Sequence, residues 1–303
     1  MNHSPSVIAA VMCISFGAGA GPQIPNALGA PALNSVRAAA SLANDLTFPV
    51  EAEPASAITG PRMAMLKPDG AGPFPAVVLF HQCSGLNATL VDWAKEAVAR
   101  GYVVLLVDSL GPRGVTSVCG GPKAGVNFAR GTRDALQAAE HLRRQPFVDR
   151  DRVALVGFSW GAMVGLLASS RHYAAALDAG AGFAAVASFY PGCFRIYPAN
   201  GAPPYEILNP DIGQPLLVLM GEADTETPPA ECIGGLEAAK ASGAPVTWQV
   251  YPAATHCWDC RHADGLSKID NRGHAVTYRY DDAATQDSRD RLFDFLKAAL
   301  PRR

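Results

Sequence analysis

The stretch RVALVGFSWGAMVGLLAS, residues 152–169, consists of two apolar runs joined by Gly157-Phe158-Ser159-Trp160-Gly161. The first run is typical of a buried strand and the second of a helix, so the pattern predicts a strand that turns directly into a helix. Such a sharp turn strains its central residue, and glycine on both flanks removes side chains that would collide. We therefore expect the Ser159 hydroxyl to project from the turn as a nucleophile. A serine that only satisfies backbone groups is the alternative.

The same kind of apolar run recurs along the chain, and helical segments separate the runs. Runs without polar alternation are typical of strands covered on both faces, and strand–helix alternation predicts a mostly parallel sheet with helices on both sides. The sequence thus predicts an α/β fold. The predicted strands are 75–80, 102–107, 153–158, 183–190, 215–220 and 246–251, and the predicted helices are 88–100, 128–145, 160–170, 229–242 and 286–299.

No repeat or shift in composition suggests a second globular unit, so we interpret residues 48–303 as one domain and 21–47, rich in Gly, Ala and Pro, as a flexible linker. Residues 1–20 resemble a secretory signal, because an apolar segment is followed by small residues. Residues 1–6 contain no Lys or Arg, which signals usually carry there. Export to the periplasm or medium is the prediction, and a cytoplasmic protein with a disordered tail or misassigned start is the alternative.

Charge and hydropathy exclude two classes of partner. The 303-residue chain has a formal net charge of −2 and no run of Lys and Arg, whereas nucleic-acid binding requires a concentrated basic face. No apolar run of membrane-spanning length follows the N-terminal segment. We therefore expect a small-molecule partner, no nucleic acid, and no membrane span in the mature chain.

An acid and a histidine follow two later predicted strands, as Ser159 follows its own. Asp224 stands in GEAD after the strand 215–220, and His256 stands in ATH after the strand 246–251. Because the carboxyl ends of parallel strands share one edge, these side chains should meet. The chain order Ser159, Asp224, His256 is that of a nucleophile, orienting acid and base in a strand–turn–helix hydrolase. Glu222 and Glu226 are the rival acids.

A tetrahedral intermediate requires backbone N–H groups for its oxyanion. One should come from the residue after the nucleophile, Trp160, and the other from the loop after the first long strand, HQCSG. In that loop we assign the donating N–H to Cys83. We expect His81 to form hydrogen bonds within the loop rather than to act as a base.

Taken together, five blocks resemble the dienelactone hydrolase family of the α/β-hydrolase fold. They are PAVVLFHQCSGLN, ARGYVVLLVDSLGPRG, VGFSWGA, GEADTETPP and YPAATHCWD, and the match covers roughly residues 50–300. The resemblance implies hydrolysis of an ester or lactone through an acyl-enzyme, without a metal or organic cofactor. Dienelactone hydrolases proper have cysteine at the nucleophile position, where this chain has Ser159, so a serine-nucleophile member is implied.

The resemblance also suggests substrate-binding residues. Arg113, in Gly-Pro-Arg-Gly, falls near one of the arginines that hold the substrate carboxylate in that family, although its spacing is shifted. Arg261 is one residue out of register with the other. We add Gln82 in the oxyanion loop and Trp258 beside the predicted base as candidate substrate-binding residues.

Six cysteines lie beyond the signal segment, an even number that favours disulfides in an exported chain. Placed on the family's loops, the pairs that suit the site are Cys83–Cys119, Cys193–Cys232 and Cys257–Cys260. Free buried thiols are the alternative in the cytoplasm. A redox pair, half a zinc site or a Cys257 nucleophile are further alternatives for the last pair.

Three functions fit these patterns. The prediction is a serine hydrolase for carboxylic esters or lactones. A peptidase or thioesterase on the same fold would use the same three side chains, and the absence of a propeller or cap domain favours small esters. A binding protein that kept the fold without turnover is the third, and the retention of serine, acid and histidine argues against it.

Overall fold

The structure is a computed structural model that describes residues 30–198, 203–270 and 272–301. The predicted signal segment 1–20 lies outside the described residues. In these ranges the helices are α1 (Ala30–Ala40), α2 (Ala88–Ala99), α3 (Phe128–Arg143), α4 (Trp160–Ser169), α5 (Arg171–Leu177), α6 (Ala230–Ala241) and α7 (Asp282–Ala299). The strands are β1 (Ala52–Glu53), β2 (Ala64–Leu66), β3 (Phe74–Phe80), β4 (Val103–Val107), β5 (Val148–Phe158), β6 (Ala185–Phe189), β7 (Arg195–Ile196), β8 (Tyr205–Glu206), β9 (Leu216–Gly221), β10 (Val246–Tyr251), β11 (Ser267–Ile269) and β12 (Ala275–Thr277).

One central sheet contains eight strands in the spatial order β1-β2-β4-β3-β5-β6-β9-β10. β2 runs antiparallel to β4, and all other neighbours in this sheet are parallel. The register pairs Phe80 of β3 with Gly157 of β5. The loops that follow β3 and β5 therefore leave the sheet side by side. The predicted mostly parallel sheet is confirmed.

Both faces of the sheet are covered, which is why its strands are apolar without alternation. Along β3, Ala76, Val78 and Phe80 face a core that also contains residues of α1, α3, α4 and α6. Val77 and Leu79 face the opposite core, which contains residues of α2 and α7. Alternate side chains of a strand thus contribute to different cores, as the pleat requires. None of the helices within the described ranges is both long and apolar enough to cross a membrane.

The prediction of a linker over residues 21–47 is wrong for the part that forms α1. This helix packs against α3 and α5, and its Val36 and Ala40 are buried. Arg130 of α3 also donates a hydrogen bond to the backbone carbonyl of Ala40 at 3.0 Å. The segment reads as a linker because its small residues give little apolar periodicity, and its order comes from the surface on which it packs.

Three disulfides join the six cysteines beyond the signal segment in the predicted pairs. Cys83–Cys119 connects the loop after β3 to the loop before α3, and Cys193–Cys232 connects the loop after β6 to α6. Cys257–Cys260 closes a short turn after β10. Each bridge is therefore attached to a loop at the carboxyl edge of the sheet.

Candidate active site

Ser159 occupies the turn between β5 and α4 with φ 52° and ψ −111°, in the positive-φ region that a residue with a Cβ rarely adopts. A Cβ on Gly157 would overlap the carbonyl group of Gly161, and one on Gly161 would overlap the carbonyl oxygens of Phe80 and His81. Only glycine fits at either position. The strain at Ser159 and the two glycines are what the sequence pattern predicts for this turn.

His256 lies within hydrogen-bond distance of both Ser159 and Asp224, as the sequence predicts. The Ser159 Oγ–H donates to His256 Nε2 at 3.0 Å, and His256 Nδ1–H donates to Asp224 Oδ2 at 2.7 Å. All three residues are buried, and Ser159 retains 6% of its surface exposed. A continuous hydrogen-bond chain thus runs from the Ser159 hydroxyl to the Asp224 carboxylate. The two residues of its first step, Ser159 and His256, are 97 residues apart in sequence.

Burial and the charge of the partner shift the pKa values of His256 and Asp224 in opposite directions. Burial alone would lower the pKa of His256, but the charge and hydrogen bond of Asp224 outweigh it and raise that pKa above its ordinary value. Burial alone would raise the pKa of Asp224, but His256 and the hydrogen bonds from Thr227 lower it. Asp224 is therefore ionised at neutral pH, and its charge favours the protonated form of His256.

Thr227 is a residue of the site that the sequence reasoning missed. Its hydroxyl donates to Asp224 Oδ2 at 2.7 Å, and its backbone N–H donates to Asp224 Oδ1 at 2.9 Å, as does the N–H of Glu226. The carboxylate is thus held in one orientation. The spacing Asp-x-x-Thr, in which an acid accepts hydrogen bonds from the following turn, was the available signal.

The rival acids do not contact His256 directly. The Glu226 carboxylate forms an ion pair with Lys268 at 3.0 Å, and Glu222 is exposed. Glu226 is close enough for its charge to contribute to the raised pKa of His256. Of the three acids that the sequence offered, the structure brings only Asp224 into contact with the imidazole.

The two backbone N–H groups predicted for the oxyanion are both without an acceptor among the described residues. Trp160 is the first residue of α4, where N–H groups have no partner within the helix. Cys83 lies in the loop after β3, and β3 ends beside the strand that carries Ser159. Two donors without an acceptor among the described residues therefore lie after neighbouring strand ends.

The structure places Arg113, a predicted substrate-binding residue, in internal contacts. Its guanidinium forms two hydrogen bonds with the buried Asp134, at 2.6 and 2.9 Å, and it also donates to the carbonyl oxygens of Ser109 and Asn44. Its side chain is 7% exposed. Releasing it would remove one of the arginines that balance the buried charge of Asp134, which is costly. Asp134 is also paired with Arg130, so this arginine belongs to an ion-pair network that holds α3.

The side chain of Gln82, another predicted substrate-binding residue, also forms internal contacts. Its amide nitrogen donates to the Tyr190 hydroxyl at 2.9 Å and contacts Cys257 Sγ at 2.9 Å. Its amide oxygen accepts from Asn87 Nδ2 at 3.0 Å. The buried amide therefore ties the loop after β3 to the turn that follows His256.

Tyr190 and Asp259 extend this connection behind the imidazole. Tyr190 packs edge-on against His256, with ring centroids 4.8 Å apart, and its hydroxyl donates to Asp259 Oδ1 at 3.0 Å. Asp259 also accepts from Trp93 Nε1 at 2.8 Å. Burial raises the pKa of Asp259. Burial and the nearby charge of Asp259 raise the pKa of Tyr190 well above its usual range. A buried acid with two neutral donors rigidifies this wall of the site.

Trp258, a predicted substrate-binding residue, lies in the hydrophobic core. It is fully buried and packs against Tyr190 and Tyr251. Cys257, directly before it, has φ 59°, and this left-handed residue turns the chain so that Trp258 points into the core beneath the sheet edge. Adjacency to His256 in sequence therefore did not mean adjacency to the substrate.

Ligand atoms of Cys257, Asp259 and Cys260 lie within 4.8 Å of one another, the spacing of a metal site. The two sulfur atoms are joined in a disulfide, however, and a metal would require thiolates. The two carboxylate oxygens of Asp259 already accept hydrogen bonds from Trp93 and Tyr190. This donor set therefore does not fit a zinc ion.

Comparison with known proteins places this site in context. A profile of the dienelactone hydrolase family matches residues 62–300. A putative carboxymethylenebutenolidase from Methylorubrum extorquens is 25% identical over 204 residues, which cover 65% of this chain and 66% of that protein. The chain therefore spans slightly less than two thirds of the length of this relative.

Solved structures share the fold. The apo form of Thermogutta terrifontis esterase 2 matches with a TM-score of 0.59 and 18% identity, over 80% of this chain and 91% of that chain. MGS-M1, an α/β-hydrolase from a deep-sea metagenome library of the Medee basin, matches with a TM-score of 0.56 and 16% identity, over 80% and 99%. These likenesses show that the fold is that of the α/β-hydrolases.

Proposed function

The chain belongs to the dienelactone hydrolase family, and we propose that it hydrolyses carboxylic esters or lactones through a serine acyl-enzyme. In this proposal Ser159 is the nucleophile, His256 the general base and Asp224 the acid that orients His256. The observation that carries it is the hydrogen-bond chain from Ser159 Oγ through His256 to Asp224, which begins at a strained strand-to-helix turn.

Acylation begins when Ser159 Oγ attacks the substrate carbonyl carbon and His256 Nε2 accepts the hydroxyl proton. The negative charge that develops on the carbonyl oxygen is held by the N–H groups of Trp160 and Cys83. The imidazolium formed at His256 is stabilised by the charge of Asp224, which already raises the pKa of that histidine. His256 then gives its proton to the departing alcohol, and the acyl group stays on Ser159.

Deacylation repeats these roles with water. His256 Nε2 takes a proton from the water that attacks the acyl carbon, the same N–H groups hold the second oxyanion, and Ser159 leaves with the proton returned by His256. A lactone gives a hydroxy acid as its only product, because its alcohol and acid are parts of one molecule.

We propose an uncharged ester or lactone as substrate. Arg113, the residue expected to bind a substrate carboxylate, is held by Asp134 instead. The serine nucleophile also departs from the cysteine of dienelactone hydrolases proper, and an oxygen nucleophile depends more heavily on its base and acid than a thiolate does. Both features favour an ordinary esterase substrate over an anionic dienelactone.

Hydrolysis of p-nitrophenyl acetate and a panel of uncharged lactones by the purified protein tests this proposal. We expect turnover by the wild type, loss of turnover in Ser159→Ala, and unchanged turnover in the control Ser242→Ala, an exposed serine at the end of α6. Absence of hydrolysis across the panel, in protein with a cooperative unfolding transition, would favour a binding protein without catalysis.

We further propose that the protein works in an oxidising compartment, after removal of a signal within residues 1–20. Its three disulfides support this, since such bonds persist in exported proteins. N-terminal sequencing of the protein recovered from the periplasm or medium of its expression host is the test. An uncleaved chain confined to the cytoplasm, with alkylatable thiols, would contradict it.

A further inference from the structure

The carbonyl oxygen of Gln82 accepts two hydrogen bonds inside the loop after β3. His81 Nδ1–H donates to it at 2.6 Å, and the backbone N–H of Gly85 donates to it at 3.0 Å. This carbonyl belongs to the same peptide unit as the N–H of Cys83. In a planar trans peptide these two groups point in opposite directions, so fixing one fixes the other.

From this geometry we propose that His81 is a positioning residue, which aims the Cys83 N–H at the oxyanion by holding the carbonyl of the same peptide. The proposal rests on the proposed function, in which that N–H stabilises the tetrahedral intermediate. The next peptide of the loop is held as well, because the Cys83 carbonyl accepts a hydrogen bond from the Val118 N–H at 2.8 Å.

The tautomer that this role requires is imposed from the opposite side of the ring. The backbone N–H of Ser109 donates to His81 Nε2 at 3.0 Å. A backbone N–H can only donate, so Nε2 carries a lone pair and the ring proton lies on Nδ1. The Ser109 hydroxyl in turn donates to Asp134 at 2.5 Å, which ties this contact to the ion-pair network of α3.

His81 also contacts the second oxyanion donor. Its ring stacks on that of Trp160, with centroids 5.5 Å apart and planes 13° apart, and it is completely buried. Burial, the largest influence, lowers the pKa of His81 even though Asp108 and Asp134 lie near enough to oppose this effect. One neutral imidazole therefore holds the Cys83 peptide by a hydrogen bond and the Trp160 side chain by stacking.

Two substitutions separate these contacts. His81→Phe keeps an aromatic ring against Trp160 but removes the hydrogen bond to the Gln82 carbonyl. His81→Asn loses the ring but keeps an N–H donor near the position of Nδ1. We expect kcat for p-nitrophenyl acetate to fall by about 10- to 100-fold in His81→Phe. This loss does not exceed the loss in kcat expected when one oxyanion donor is removed completely. KM should change by less than about threefold, and His81→Asn should recover most of kcat.

His141→Phe is the matched control. His141 likewise contacts a backbone carbonyl, that of Pro49 at 2.8 Å, and packs against Phe48, but it lies near the far end of α3 from Trp160. We expect this variant to lose thermal stability as His81→Phe does while keeping the wild-type kcat.

A sulfur substrate reports on the oxyanion itself. p-Nitrophenyl thionoacetate develops its negative charge on sulfur, which accepts hydrogen bonds weakly, so correctly aimed donors contribute less to its turnover. We expect the kcat/KM ratio of oxygen ester to thionoester to fall in His81→Phe by about the factor lost in kcat. A loop that was merely destabilised would slow both substrates equally and leave this ratio unchanged.

The outcomes distinguish this proposal from the proposed function. If the wild type hydrolyses the ester and Ser159→Ala does not, an unchanged kcat or an unchanged ratio in His81→Phe overturns the role of His81 alone. If the wild type hydrolyses no ester, the proposed function fails and the role of His81 fails with it. Should His81→Phe not fold, ¹⁵N NMR of the wild-type imidazole decides, because an Nε2–H tautomer or an imidazolium at His81 at neutral pH overturns the proposal.

Discussion

Replacing Asp224 with asparagine keeps the size of the side chain and changes which of its atoms faces His256. Oδ1 of Asp224 accepts backbone N–H groups from Glu226 and Thr227, both at 2.9 Å. Asparagine must therefore keep its oxygen at that position, and its NH₂ group must take the place of Oδ2, 2.7 Å from His256 Nδ1. An NH₂ group there donates to Nδ1 and moves the ring proton to Nε2.

The magnitude follows from this change of tautomer. A protonated Nε2 cannot accept the proton of Ser159, and the imidazolium loses its stabilising charge. The same exchange in a Ser-His-Asp protease lowers kcat by about 10⁴-fold, which corresponds to about 5 kcal/mol of transition-state stabilisation. We expect a loss of this order in Asp224→Asn, with little change in KM.

The assay is hydrolysis of p-nitrophenyl acetate under saturating substrate, with thermal unfolding measured on the same preparations. Glu226→Gln and Glu222→Gln are the matched controls, because each removes one rival carboxylate from the same loop. We expect both to keep kcat within about tenfold of the wild type, since neither forms a hydrogen bond with the imidazole. A kcat within tenfold of the wild type in a folded Asp224→Asn would refute Asp224 as the orienting acid. A large loss of kcat in either control would assign that role to the glutamate replaced in it.

Three further predictions concern titration, disulfides and Arg113. The acidic limb of kcat/KM against pH should have its midpoint above about 6.5, since the base acts when neutral and its carboxylate partner raises the pKa of His256; a midpoint at or below that value contradicts the pair. The same raised pKa contributes to folding stability at acidic pH, and this contribution is lost as the pH rises through the folded-state value. Removing the Cys193–Cys232 bridge by a double Ala substitution, which opens a loop with a sequence separation of 39, should lower the free energy of unfolding in urea by about 4 kcal/mol, and an unchanged denaturation midpoint argues that the bridge is not formed. Arg113→Ala should destabilise the fold by about 1.5 to 3 kcal/mol, because Asp134 loses the hydrogen bonds of one arginine and keeps those of Arg130, while the ratio of KM values for anionic and neutral esters stays constant; a selective rise in KM for anionic esters would instead support a substrate role.

Local pattern was sufficient where a backbone constraint demands particular residues. Close backbone contacts at the Ser159 turn require glycine at positions 157 and 161, so the two glycines in the sequence predict this turn. The order of the acid and the histidine follows from parallel strands that end at one edge. The disulfide pairs followed from placing each cysteine on a loop of the related fold, and the structure confirms them.

Long-range pairing was what the local pattern could not supply. Arg113 reads the same in sequence whether it faces a ligand or Asp134, which lies 21 residues further along on α3. Gln82 finds its partner Tyr190 at a separation of 108 residues. α1 was missed for a related reason, because a helix of small residues shows its buried face only when the surface that covers it is known.

The wall behind His256 shows the same limit. Tyr190 and Asp259 stand in stretches that sequence reading assigned to a strand end and to a cysteine turn, with no spacing that connects them. Their hydrogen bond, and those of Asp259 with Trp93 and of Tyr190 with Gln82, exist only after the sheet has formed. Buried polar networks of this kind are specified by tertiary packing rather than by periodicity.

The measurement that tests the central claim most directly is the location of the covalent adduct. The protein is treated with a fluorophosphonate, digested, and mapped by tandem mass spectrometry, with Ser159→Ala treated in parallel. We predict one phosphonyl group on Ser159 in the wild type and none in the variant. An adduct on any other residue, or equal labelling of the variant, would contradict a serine nucleophile at this turn.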